Sequence, residues 1–423
     1  MKRRDFLTNT AAGIILPLLL DGFSFKALAG SPQKLEQYLS NDHVLVLIQL
    51  NGGNDGLNTV IPMDQYSAYQ ASRSNIAIPE NKVLPLNGFD HTGLHPSLTA
   101  IQHLFNEGKS GIVQAVGYPN PNFSHFRATD IWMTASDSNK IVSTGWAGRY
   151  LDKVYPDFPK DYPNTAMPDP LAIQVGSVIS TTFQGPAFIM GLAISNPSSF
   201  YNMLDDKPGI DASTRWGEQL AYIETMAIKT DQYAGVIKKA ALKVSKQSDK
   251  YPAKNPLADQ LKIVARLIAG GLKTKIYMVN TGSFDTHSKQ ADTMDNTKGT
   301  HAMLLERVSS AVAAFMDDIN VLGAGDRVMG MTFSEFGRRI KSNASGGTDH
   351  GAAAPVIYFG NKVKSGIIGN NPLLPTNTTP NDNITMQYDF RSLYATVMQQ
   401  WLLLDAADVQ QVLGGKFPLI DVV

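Results

Sequence analysis

The sequence predicts an α/β fold built on a mostly parallel central sheet with helices on both faces, and three observations predict it. Five runs of β-branched and aliphatic residues recur along the chain and read as buried strands. Helical patterns lie between several of them, the alternation expected of a sheet covered on both sides. Each of the first four runs also stops abruptly at a cluster of Gly, Asn, Asp, Ser or His, and the fifth is preceded by one.

In chain order, His43–Leu50 is the first strand, ending at the Gly-rich turn Asn51-Gly-Gly-Asn54-Asp55-Gly56. A helix over about Ser97–Glu107 precedes the second strand, Gly111–Gly117. Lys275–Asn280, Arg327–Phe333 and Ala354–Gly360 are the third, fourth and fifth. Helices are expected at Pro256–Gly270 and Gly299–Leu322, and an amphipathic one after Asp389-Phe-Arg391, reaching Leu404. Between about 152 and 253 the chain turns rich in Pro, Ser, Asn and Asp, with a helical stretch near Trp216–Tyr233. This segment reads as an insertion or cap, because the strand pattern resumes after it.

The N-terminus carries a separate message. Arg3-Arg4-Asp5-Phe6-Leu7, an apolar stretch from Ala11 to Leu20 and Ala27-Leu28-Ala29 form a twin-arginine signal peptide over residues 1–29, with cleavage before Gly30. The apolar stretch is shorter than the roughly 20 residues a membrane span needs, and no second one is present, so the mature chain is expected to have no transmembrane segment. Residues 30–423 read as a single domain. The 37 basic and 37 acidic residues balance, which argues against a nucleic-acid surface. With no cysteine, disulfides, thiolate catalysis and Cys-ligated metals are excluded. The expected partner is the twin-arginine translocation machinery and the expected location periplasmic or secreted.

In open α/β sheets ligands bind beyond the carboxyl ends of the strands, so the residues at the strand ends carry the functional signal. Asn51 and Asp55 stand after the first strand. Ser124, His125 and Arg127 stand after the second, in Asn122-Phe-Ser-His-Phe-Arg127. Asp285 and His287 stand after the third, and Glu335 and Arg338 after the fourth. Asp349-His350-Gly351 precedes the fifth. Three of the eight histidines lie in these loops, and Asp, Glu, His and Asn are the donors that bind zinc, magnesium or manganese. An Asp-x-His triplet alone is equally well a loop hydrogen bond. Ser124 stands where a helix begins: it is either an N-cap or a nucleophile facing an anion, with Arg127 forking the ester oxygens. The Gly-rich turn either cradles an anion or fixes Asn51. Glu335 with Arg338 and Arg339 equally suits a structural ion-pair cluster, and His95 reads as a helix-start residue. No Gly-x-Ser-x-Gly elbow stands at a strand end.

The order of the motifs Leu50–Asn58, Leu94–Leu98, Asn122–Arg127, Gly145–Arg149, Phe284–His287, Phe333–Arg338, Gly347–Gly351 and Asp389–Arg391 resembles a twin-arginine-exported bacterial family of unknown function within the alkaline phosphatase and sulfatase superfamily. The resemblance implies an alkaline phosphatase-like three-layer sandwich. It implies a divalent metal, zinc, manganese or magnesium, held by Asp285, His287 and His350, with Ser124 as nucleophile and Arg127 or Arg338 clamping an anionic ester. A second metal site would fall to Glu335, Ser124 and Asn51 or Asp55. There Asn51 replaces a carboxylate and Phe336 stands where a histidine is expected, so one site is favoured over two. The implied activity is hydrolysis of phosphate or sulfate esters; the alternative is a superfamily member without catalysis, acting as an exported binding or assembly protein.

Overall fold

Val44–Leu50 (β1) is buried along its whole length and lies at the centre of a nine-stranded sheet. The computed structural model describes residues 19–20, 23–24, 40–194 and 232–423. The chain divides into two units, Met1–Ser40 and Asn41–Val423. In the first, Leu19–Leu20 pairs antiparallel with Phe23–Ser24; the rest of the expected signal peptide and its cleavage site lie outside the described residues. So does nearly all of the helix expected at 216–233.

The core elements of the second unit include the five expected strands and the helices expected near 97–107, 256–270 and 299–322, with others that the sequence pattern does not mark. They are Thr99–Asn106 (α1), Ser110–Gly117 (β2), His125–Thr134 (α2), Trp146–Val154 (α3), Ala172–Val175 (β3), Leu192–Ile194 (β4), Pro256–Ala269 (α4), Ile276–Thr281 (β5), Thr300–Val321 (α5) and Val328–Phe333 (β6). Gly337–Ser342 (β7) and Thr348–Gly351 (β8) form a hairpin, and after it come Ala354–Gly360 (β9), Gly366–Ile368 (β10), Tyr388–Asp389 (β11), Phe390–Thr396 (α6) and Ala406–Leu413 (α7). The sheet order is β10-β2-β9-β6-β1-β5-β3-β4, with β11 also beside β2. Every pairing in it is parallel except those of β9, which runs antiparallel to both β6 and β2.

Residue alternation along β1 feeds two cores. Val44, Val46, Ile48 and Leu50 pack with α1, α4 and α5 in one apolar cluster. On the opposite face, α2, α3 and α6 bring Trp132, Trp146, Phe390 and Tyr394 into stacked and edge contacts that reach Phe333 of β6. The result is the expected sheet with helix layers on both sides. Local signals set the helix ends: Asn255 accepts from Leu257 N and Ala258 N at 3.1 and 3.3 Å, with Pro256 at the first helical position of α4. Asp389 likewise caps α6 through Arg391 N at 2.9 Å.

Three features differ from the sequence-based expectation. β3 and β4 lie inside the segment expected to be an insertion, yet extend the main sheet; they are too short to stand out in a Pro- and Ser-rich stretch. The C-terminal helix leaves α geometry at Thr396 and continues as a π-helix over Val397–Trp401, where the Trp401 indole N–H donates to Val44 O at 3.0 Å. The β7–β8 hairpin occupies a stretch that reads as loop. Among the described residues no helix is long and apolar enough to cross a membrane.

Candidate metal centre

The parallel strands end at one edge of the sheet, and because β9 runs the other way, its start lies at that same edge. Asn51, Asp285 and Glu335 therefore arrive from the carboxyl ends of β1, β5 and β6, and His350 arrives on the hairpin that leads into β9. The turn after β1 is shaped by two glycines with positive φ, Gly52 at +120° and Gly53 at +84°. A Cβ at Gly52 would run into the backbone of Phe284 and Asp285, and one at Gly53 into the Phe336 ring. Asn51 ties this turn to the Asp285 loop through its backbone, donating to Thr281 O at 2.9 Å and accepting from Phe284 N at 3.0 Å.

Asp285, His287 and His350 come together. Asp285 Oδ1 lies 3.1 Å from His287 Nε2 and 3.2 Å from His350 Nε2, and the two Nε2 atoms are 2.9 Å apart. Each imidazole is held from behind through Nδ1. His350 Nδ1 is 2.7 Å from Phe123 O, and His287 Nδ1 is 3.1 Å from Asp349 Oδ1. A carbonyl and a carboxylate only accept, so both Nδ1 atoms carry a proton and both rings turn Nε2 inward. Burial, foremost, lowers the His350 pKa and keeps the ring neutral, despite its bonds to Phe123 and Asp285. Partial burial works against ionisation of Asp285, yet the Arg338 guanidinium and His350 bring its carboxyl down to about 2. Two imidazole nitrogens and one carboxylate oxygen thus converge on one point. Bonds of about 2.0–2.1 Å to a divalent ion place neighbouring ligand atoms about 2.9 Å apart in an octahedron and about 3.4 Å apart in a tetrahedron, which brackets the separations here. The residues present fit such an ion. Asp285 and His287 keep over two-fifths of their side chains exposed, so the cluster opens to solvent.

His125, at the first position of α2, joins from the other side. Its Nε2 lies 3.4 Å from Asp285 Oδ2, and its ring stands edge-on to His350 at 4.5 Å. His125, Asp285 and His350 also offer ligand atoms within 4.8 Å of one another. The sequence marks His125 as a strand-end histidine but gives it no ligand role; the adjacent Ser124 is the more conspicuous residue, and nothing in the sequence reveals the pairing of His125 with Glu335.

The remaining site residues fall apart from this cluster or behind it. Glu335 is buried, accepts from Gly52 N at 2.8 Å, and faces His125 Nδ1 at 2.9 Å. Asp55 is buried against Arg73, at 2.9 and 2.7 Å, with Gln290 donating at 2.6 Å. Its carboxylate is occupied by these partners, and despite full burial Arg73 holds its pKa low. Arg338, expected to clamp an anion, is fully buried. It donates to Gly53 O and Thr348 O at 2.7 Å each, to Phe284 O at 3.1 Å, to Asp285 Oδ1 at 2.7 Å and to Gly52 O. It braces the cluster. Arg127 is likewise engaged by Asp130 and by the carbonyls of Asp137, Ser138 and Lys140. Phe336, at the place of an expected histidine, packs 4.3 Å from the His350 ring and 5.0 Å from that of His125. Ser124 is exposed at the N-cap position of α2, and its side chain makes no cap hydrogen bond.

Residues 225–422 match the model of a family described as protein of unknown function (DUF1501). No match was found among curated proteins. Among solved structures the chain is similar to a protein in the alkaline phosphatase superfamily from Vibrio parahaemolyticus, at 10% identity and TM-score 0.39 over 92% of this chain and 78% of that one. It is similar to the PsFucS1 sulfatase from Pseudoalteromonas sp., at 11% identity and TM-score 0.37 over 93% and 75%. A third similarity is to the alkaline phosphatase of the Antarctic bacterium TAB5, at 10% identity and TM-score 0.29 over 78% and 94%.

Proposed function

We propose that this protein is an exported, metal-dependent hydrolase of phosphate or sulfate esters with Ser124 as its nucleophile. The observation that carries the proposal is the convergence of Asp285 Oδ1, His287 Nε2 and His350 Nε2 as three lone-pair donors at one solvent-open point. Asp285, His287 and His350 would hold zinc, manganese or magnesium, an ion that polarises an ester oxygen and favours ionisation of a neighbouring hydroxyl when bound. The chain's own residues supply the rest. Ser124 sits between Phe123, whose carbonyl holds His350, and His125, whose ring faces Asp285. Its hydroxyl is uncommitted to the helix, so it is free to attack. The first N–H groups of α2 favour an anion beside it through their unpaired donors and the helix dipole. Arg338 keeps Asp285 ionised and oriented. Export in the folded state is supported by the Arg3-Arg4 signal and by a chain that needs no oxidising compartment to form disulfides.

A second reading, an exported binding or assembly protein without catalysis, is favoured by one observation. Arg127 and Arg338 are both engaged inside the protein, which leaves the expected anion clamp unfilled. An assay panel of aryl phosphate, phosphodiester and sulfate esters, with zinc, manganese and magnesium supplied, separates the two. Turnover that falls to background in Ser124→Ala supports the hydrolase. Equal rates in the parent and Ser124→Ala across the panel would sink it.

A further inference from the structure

We propose that His125 is a fourth protein donor to the ion held by Asp285, His287 and His350, and that loading the ion fixes the segment on which Ser124 rides. The proposal rests on the reading of the cluster as a cation site. Three observations carry it.

The first is a repeated arrangement. His287 is held at Nδ1 by Asp349, His350 at Nδ1 by Phe123 O, and His125 at Nδ1 by Glu335 Oε1. In each case the outer partner only accepts, so the proton sits at Nδ1 and Nε2 points inward. All three Nε2 atoms converge on one carboxylate, His287 and His350 on Asp285 Oδ1 and His125 on Oδ2. Outer partners that fix the tautomer and direction of an imidazole are the recurrent setting of metal-bound histidine.

The second is the rigidity of the outer partner. Glu335 is 3% exposed and its Oε1 is anchored by Gly52 N at 2.8 Å, so it cannot swing inward as a ligand without breaking that bond. It serves His125 as a positioning residue, and this assigns one ion, not two, to the site. Phe336, packed against both imidazoles, fills the flank with carbon where a further donor would have to stand.

The third is connectivity. Phe123 and His125 flank Ser124, and both are tied to the donor set, one through its carbonyl and the other through its ring. An ion that draws His125 Nε2 and His350 Nε2 together therefore pins the serine from both sides.

The test uses the full mature chain, stripped with chelator and titrated with Co²⁺ and Zn²⁺. Affinity is read by chelator competition, the donor set from the visible spectrum of the Co²⁺ adduct, and order at residues 122–126 from amide hydrogen exchange. His125→Ala is expected to weaken binding about a hundredfold, roughly a quarter share of a four-ligand site, and to change the Co²⁺ spectrum. Glu335→Gln is expected to weaken it about tenfold while preserving the spectrum. Zinc should slow exchange at 122–126 in the parent and not in His125→Ala; His125→Gln, of similar bulk, replaces that variant if it fails to fold. Parent-like affinity and spectrum in the His125 variant, with binding abolished in His350→Ala, would overturn the inference and leave the cation site standing. Absence of tight binding in the parent would overturn the cation site itself.

Discussion

Replacing Arg338 by lysine tests whether this residue braces the cluster or meets substrate. The guanidinium makes five donor contacts, to Gly52 O, Gly53 O, Phe284 O, Thr348 O and Asp285 Oδ1, and is fully buried. An ammonium has three donors and no planar fork, so at least two of these five acceptors lose their partner in Arg338→Lys. Phe284 O also accepts from Thr286 N at 2.8 Å, so one or two buried acceptors are left unpaired, and at about 1–3 kcal/mol each the loss is about 1–6 kcal/mol. That is a large fraction of the roughly 5–15 kcal/mol by which folded domains are stable. Urea unfolding, monitored by tryptophan fluorescence and far-ultraviolet circular dichroism, measures it, provided the two transitions coincide. The same variant should bind Zn²⁺ more weakly, because Asp285 loses the partner that orients it. Stability within about 0.5 kcal/mol of the parent, combined with a raised KM for an anionic ester, would refute the bracing role and restore Arg338 as a substrate clamp.

The same geometry sets further expected outcomes. Asp55→Asn leaves the buried Arg73 without its counter-charge and should lower stability by about 3–5 kcal/mol, while metal content by elemental analysis stays at the parent value; loss of metal would make Asp55 a ligand. Gly53→Ala and Gly88→Ala compare the same backbone strain with and without a clash, since φ is +84° and +82° but only Gly53 faces a neighbour, Phe336. Gly88→Ala should cost about 1 kcal/mol and Gly53→Ala about 1–3 kcal/mol more, with equal melting points counting against the packing described. His301 donates from Nε2 to Asn54 Oδ1 at 3.0 Å, and burial, foremost, lowers its pKa from 6.5 to about 4 despite the pull of Asp55. The folded state resists this proton, so the contribution is complete above pH 6.5 and is lost as pH falls towards 4, about 3 kcal/mol in all. The slope of stability against pH between 6.5 and 4 should flatten in His301→Gln, and an unchanged slope would assign the acid sensitivity elsewhere.

The sheet is legible in the sequence because its central strands are continuous apolar runs. A strand buried on both faces must be written that way, and Val44–Leu50, Ile276–Thr281 and Val328–Phe333 are. Strand direction is not legible: β9 is as apolar as the parallel strands of the sheet, and direction depends on the hairpin before it. That hairpin hides as well, since Gly337–Ser342 carries Arg338, Arg339 and Lys341 and looks like surface. β3 and the edge strand β4, only four and three residues long, give no periodic signal. For the site, Asp285, His287 and His350 can be read from their places beside strand ends. Asp55 and Arg338 cannot be told from site residues, because burial against a partner distant in sequence decides their roles. His125 escapes notice for a related reason: its orientation depends on Glu335, 210 residues away.

The position of β2 has a consequence for how the protein is made. Its strand neighbours β9, β10 and β11 all belong to the C-terminal part of the chain, and the Ser110 hydroxyl meets Tyr358 O across 248 residues. During synthesis β2 must therefore wait, with both edges bare, until residues beyond 360 have been made. The loop that carries Ser124 and His125 hangs from its end, so no partial chain presents the complete cluster. Pairings this distant in sequence form slowly. The candidate cation site consequently has no assembled form until these pairings have closed, and anything the cluster binds is taken up late in the life of each molecule.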